Sequence, residues 1–115
     1  MTRVKRGIVT KKRHKRLLKQ TKGFWGLRKN IFTKAKETLL RAMAYAFKGR
    51  KLRKRDMRAL FISRISAASK THGMSYSRLI GGLKEANVLL NRKMLSQLAI
   101  FEPEAFAKIV TLAKN

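Results

Sequence analysis

Thirty Lys and Arg residues stand against five Asp and Glu in this chain, a formal net charge of +25. A protein so charged repels itself in any compact form, so its cations must be spread apart or neutralised from outside by a polyanion. Nucleic acid suits that role best among common polyanions, because each phosphate paired with Lys or Arg releases a condensed counterion and converts dense positive charge into affinity. Charge alone does not separate DNA from RNA. At 115 residues the chain holds at most one ordinary domain, and any basic tail leaves less of it for a core.

Several classes of chemistry drop out early. The sequence has no cysteine, which removes disulfides, zinc knuckles, thiolate catalysis and iron–sulfur ligation. His14 and His72 each lack a second His or a carboxylate at ligand spacing, so they read as phosphate contacts or helix-surface residues, and no metal or cofactor is expected. There is no phosphate-binding loop of the nucleotide-hydrolase kind, no Ser/His/Asp set and no paired carboxylates, so an enzyme is not expected. No stretch approaches the roughly 20 apolar residues that span a bilayer. The start from Met1 to Val9 leads straight into a Lys/Arg cluster without Ser enrichment or an amphipathic repeat, and reads as mature sequence.

The charge is unevenly placed. A cut after Arg58 leaves 22 basic and 2 acidic residues before it, and 8 basic and 3 acidic residues after it. Such asymmetry suggests a nucleic-acid-binding extension over residues 1–58 joined to a small helical globular domain over 59–115. The extension opens with Arg3, Lys5 and Arg6, expected to be extended. Thr10 is then placed to cap a short helix reaching about Thr21, with Lys11, Lys12, Arg13, His14, Lys15, Arg16 and Lys19 along it and Lys22 just beyond. Lys11 with Lys15, Lys12 with Arg16, and Lys15 with Lys19 are like-charge pairs at four-residue spacing, each unfavourable by about 0.2–0.5 kcal/mol. The arm is therefore expected to be poorly ordered alone and to fold against phosphate.

Gly23 and Gly26 bracket Phe24 and Trp25, a turn that presents two aromatic rings either to unpaired bases or as a local apolar anchor, with Arg28 and Lys29 following. From about Asn30 to His72 the apolar residues Phe32, Ala35, Leu39, Met43, Ala46 and Phe47 recur at helical steps with no proline, and Gly49 is the one weak point. A helix of that length measures on the order of 60 Å, more than so small a domain can cover, so part of it should project. Its Phe32 to Phe47 stripe reads as a surface for packing against a neighbouring protein in preference to the alternative, a base-stacking surface. Arg50, Lys51, Arg53, Lys54, Arg55 and Arg58 cover more than half of the helix circumference, which suits a helix threaded through nucleic acid better than one resting on a flat surface.

Beyond Arg58 the pattern is that of a small helical core. Leu60, Phe61, Ile65 and Ala68 form a stripe on the end of the long helix, which Gly73 should terminate as a left-handed cap. Ser75 is placed to cap a helix containing Leu79, Ile80, Leu83 and Ala86, Asn91 another with Met94, Leu95, Leu98 and Ala99, and Pro103 opens a last one with Phe106, Ile109 and Val110. Gly81-Gly82 allows a close backbone approach, by the bundle itself or by RNA. Arg64, Arg78, Arg92 and Lys93 add a second, sparser set of candidate RNA contacts. The expected fold is all-α: an extended basic N-terminal arm with a short helix, one long projecting helix, and a small C-terminal bundle of short helices.

Three ordered stretches join Arg3-Val4-Lys5-Arg6-Gly7 in carrying a resemblance: Lys22-Gly23-Phe24-Trp25-Gly26, the block from Arg53 through Ala68, and Ser75-Tyr76-Ser77-Arg78-Leu79-Ile80. Together they resemble the bacterial and organellar family of large ribosomal subunit protein twenty, collinearly over nearly the whole chain. The resemblance implies a basic extension penetrating large-subunit ribosomal RNA, neighbouring large-subunit proteins as further partners, and an early role in subunit assembly. In some bacteria it also implies repression of the protein's own messenger RNA through the C-terminal domain. The implied location is the ribosome, in a bacterial cytoplasm or an organelle interior such as the plastid stroma, with no membrane partner and no homo-oligomer. The family usually has Trp where Phe61 stands, which keeps an aromatic ring and loses an indole donor. The rival from another class is an architectural DNA-binding protein, which shares the charge and coats or bends duplex without base readout. A cationic membrane-active helix is disfavoured because the charge surrounds the helix instead of facing a broad apolar side.

Overall fold

Forty consecutive residues without proline form one uninterrupted helix, α2 (Phe32–Thr71), the longest element among the described residues. The computed structural model of the protein describes residues 7–114. The remaining elements are α1 (Ile8–Gln20), a 3-10 turn (Gly26–Lys29), α3 (Tyr76–Glu85), α4 (Arg92–Phe101) and α5 (Pro103–Leu112). Every regular element among the described residues is helical, as the all-α expectation requires. The chain divides into two units, one ending at Lys51 and the other beginning at Leu52, so both this division and the charge-based cut after Arg58 fall inside α2.

In the first unit, α1 begins earlier than its polar residues suggest. Gly7, in extended backbone, is the N-cap, and the Thr10 amide donates to its carbonyl at 3.2 Å, so Thr10 lies inside the first turn and does not cap it. A capping hydroxyl must precede the turn it serves, and once Ile8 and Val9 are helical Thr10 can no longer do so. The helix buries none of its own residues. Thr21 closes it, fully buried, its hydroxyl donating to the Leu18 carbonyl at 3.2 Å. Gly23 (φ 87°) and Gly26 (φ 57°) both occupy left-handed backbone, which turns the chain back toward α2 at little steric cost. The His14 ring then stacks on Phe32 at 3.9 Å between centroids, inclined by 22°.

The second unit has its own core. Ile65 from α2, Met74 from the following turn, Leu79 and Leu83 from α3, Leu95 from α4, and Phe106 and Val110 from α5 are all buried. Burying each such side chain contributes roughly 1.5–3 kcal/mol. Leu60, expected in the same stripe, is 40% exposed. It is five residues before Ile65, a 500° rotation that carries it off the buried face, whereas Ala68, three residues after Ile65, packs against the core.

The ends of these helices follow backbone chemistry closely. Gly73 (φ 72°) stops α2, its amide donating to Lys70 and that of Met74 to Ser69, both at 3.0 Å, the double bond pattern of a left-handed C-terminal cap. Asn87 (φ 53°) does the same for α3, with Val88 bonding to Leu83 and Asn87 to Lys84. The expected continuation of α3 through Ala86 is therefore corrected: Ala86 is the C-cap, because Asn tolerates the left-handed turn that follows. Asn91 caps α4 as expected, accepting from the Met94 amide at 2.9 Å, and Pro103 opens α5. Ser75 occupies the N-cap of α3 and its carbonyl accepts from the Leu79 amide at 3.0 Å, but its side chain makes no capping bond; the hydroxyl meets that of Ser77 at 3.3 Å instead.

Candidate nucleic-acid interface

Helix α1 carries Lys11, Lys12, Arg13, Lys15, Arg16 and Lys19 on its exposed surface, with Lys22 exposed just beyond it. Arg3, Lys5 and Arg6 lie outside the described residues. His14 differs from its neighbours: it is half-buried against Phe32, which makes packing its first role. Phe24 is half-buried, whereas Trp25 is 88% exposed, so the two rings singled out together are set apart, one inward and one outward. Arg28 and Lys29 are exposed on the 3-10 turn.

Every residue of α2 from Met43 to Leu60 is exposed. A helix normally hides one face, so a stretch exposed on all sides has none of the described residues packed around it. Arg50, Lys51, Arg53, Lys54, Arg55 and Arg58 lie within this stretch and Asp56 is its single acid. The ion pair found among the described residues lies elsewhere on α2, between Arg41 and Glu37 at 3.3 Å, and both side chains are largely exposed. Among the described residues the cations of this stretch have no carboxylate partner, although Lys51 leans over the Phe47 ring at 5.0 Å. Of the apolar stripe entering this stretch, Ala35 is buried and Phe32 and Leu39 are half-buried, while Met43 and Phe47 are more than half exposed.

In the C-terminal unit Arg64, Arg78 and Lys93 are exposed. Arg92 is half-buried and its Nε donates to the Tyr76 hydroxyl at 2.9 Å, a partnership between residues sixteen apart in sequence. Tyr76 carries no charge and was not a candidate by residue type. Gly82 explains one half of its glycine pair: a Cβ there would collide with the Ala113 carbonyl oxygen, whereas Gly81 has open space. The close approach at Gly82 is thus made by the end of α5, within the bundle. Among the described residues no three His, Asp or Glu side chains gather as a metal site, and no helix is long and apolar enough to cross a membrane.

The model of the ribosomal protein L20 family matches residues 3–109. The chain belongs to the ribosomal protein L20 family. Its similarity to individual L20 relatives runs end to end. It is 57% identical over 115 residues to the large ribosomal subunit protein bL20 of Borrelia hermsii, covering all of both chains. It is 52% identical over its whole length to the bL20 of Caldanaerobacter subterraneus subsp. tengcongensis, covering 97% of that protein. To the bL20 of the cyanobacterium Rippkaea orientalis it is 54% identical over 113 residues, 98% of this chain and 97% of the relative. L20 membership makes the chain a structural protein of the large ribosomal subunit, and its place is the ribosome.

Proposed function

We propose that this L20-family protein binds large-subunit ribosomal RNA through the exposed cations of α1 and of the bare stretch of α2, and in doing so promotes RNA folding early in subunit assembly. One observation carries the reading: from Met43 to Leu60 the helix is exposed all round, with one acid among its cations. RNA packed against such a segment replaces the missing protein neighbours and supplies the missing counter-charges together. Arg50, Lys51, Arg53, Lys54, Arg55 and Arg58 hold phosphates of segments that would otherwise repel, Arg by a planar fork and Lys as a point charge. Phosphates of the same RNA meet the cations between Arg3 and Lys22 and relieve the unfavourable like-charge pairs of α1. Trp25, exposed beside two glycines, is the ring placed to stack on an unpaired base. Neighbouring large-subunit proteins cover the outer part of the apolar stripe at Met43 and Phe47. The C-terminal unit, which has its own core, is the part suited to repress the protein's own messenger RNA.

Binding to large-subunit ribosomal RNA measured over a range of KCl concentrations tests this. If at least six phosphates are engaged, log affinity should fall against log salt with a slope near −4 or steeper. A flat response refutes the reading, and preference for duplex DNA in competition transfers it to the architectural DNA-binding class.

A further inference from the structure

In the C-terminal unit the first residue of α3, Tyr76, is joined by a side-chain hydrogen bond to the first residue of α4, Arg92. The bond uses the Nε–H of the guanidinium, and the two terminal nitrogens make no hydrogen bond among the described residues. Among the described residues no part-buried side chain leaves a nitrogen or oxygen both sealed from solvent and unbonded, so those unbonded terminal nitrogens are reached by solvent. Arg92 also has no carboxylate partner among the described residues. Its neighbours deepen the mismatch. The first turn of α4 contains Arg92 and Lys93 and no acid, and that of α3 contains Arg78 and no acid. Helix N-termini present unpaired amides and a positive dipole end, so cations placed there are disfavoured unless an anion arrives. Lys84 joins Arg92 in lining a shallow hollow otherwise walled by apolar residues, including Leu90 and Leu95.

We propose that Tyr76 is a positioning residue: by holding Arg92 through Nε it aims the guanidinium's terminal edge outward as a preformed two-pronged clamp for one RNA phosphate. Two parallel N–H donors match a phosphate geometrically, and a fork already fixed loses less freedom when the bond forms. The phenol suits the task because it fixes orientation without neutralising charge; a carboxylate in its place would satisfy the arginine and leave nothing for the phosphate. This inference rests on the RNA-binding reading above and gives the C-terminal unit a defined contact within it.

The test uses the full chain and folded large-subunit ribosomal RNA, comparing wild type with Tyr76→Phe, Arg92→Lys, Arg92→Gln and the Tyr76→Phe/Arg92→Gln double variant. Affinity, its salt slope and the thermal midpoint of the free protein are measured for each. Tyr76→Phe should keep the midpoint and the slope while weakening binding about tenfold, the scale of one charge-assisted bond. Arg92→Lys should weaken binding similarly although the charge is retained. Arg92→Gln should shallow the slope by about 0.7–0.9, one phosphate contact, and abolish any further effect of Tyr76→Phe. Wild-type affinity in Tyr76→Phe, or an equal loss from that change in the Arg92→Gln background, overturns the proposal while leaving the general RNA reading standing. If Tyr76→Phe melts the bundle, Arg92→Lys decides, and wild-type affinity there overturns it. A wild-type chain that does not bind the RNA overturns both readings.

Discussion

Replacing Arg53, Lys54 and Arg55 together by Gln separates the two roles a basic helix can have. All three side chains are exposed, and none is ion-paired to a carboxylate among the described residues. Their removal therefore deletes no stabilising contact of the free protein. It also removes like-charge pairs at four-residue spacing, Arg50 with Lys54, Lys51 with Arg55 and Lys54 with Arg58, each unfavourable by about 0.2–0.5 kcal/mol. Helix content should hold or rise, with a gain of at most on the order of 1 kcal/mol. RNA binding should move the other way. At about 0.7 released counterions per single-stranded phosphate contact, three lost contacts shallow the salt slope by about 2 and weaken binding about a hundredfold at 0.1 M salt. Circular dichroism of the free variant, and fluorescence anisotropy with labelled large-subunit ribosomal RNA from low to moderate KCl, read the two effects separately. An unchanged slope refutes the assignment of these cations to phosphate. Loss of helix in the free protein refutes the claim that they make no intramolecular contact.

Gly82→Ala should destabilise the C-terminal unit by about 1–3 kcal/mol, since its Cβ meets backbone at the end of α5, whereas Gly81→Ala, with open space around it, should be neutral or stabilising by up to about 1 kcal/mol; paired thermal melts check the contrast. Phe106→Ala, at 1% exposure, should cost about 3–5 kcal/mol and remove much of the cooperative transition of a unit this small, as seen in urea titrations. Trp25 is the chain's single tryptophan, so its fluorescence should show a water-exposed indole readily quenched by iodide in the free protein and protected once RNA binds; an indole already shielded before RNA is added contradicts the exposed placement.

The residues whose roles were legible in the sequence are those governed by local physics. Periodicity without proline set α2 nearly to its ends, because helix continuity depends on neighbours three and four residues away. Gly73, Asn91 and Pro103 acted as their backbone chemistry dictates. Local rules failed where two satisfactory options competed. Gly7 displaced Thr10 as a cap, and Asn87 took the left-handed turn that ended α3 before Ala86 could extend it. Residue type also gave no sign that the His14 ring packs on Phe32, because that contact joins residues eighteen apart in the chain.

The sequence by itself determined that so dense a surplus of Lys and Arg needs a polyanion, because total charge does not depend on how the chain folds. It also determined which helices form, since capping and periodicity are properties of a few consecutive residues. Only the tertiary structure decided which of two adjacent glycines is crowded, which of two adjacent aromatic rings faces water, and that a neutral tyrosine holds Arg92 by one edge while the other stays open. Those facts depend on residues far apart in the chain meeting in space. The same holds for the +25 charge: composition fixes its size, but the packing of α2 decides that from Met43 to Leu60 its cations stand bare on every side, ready for an outside partner.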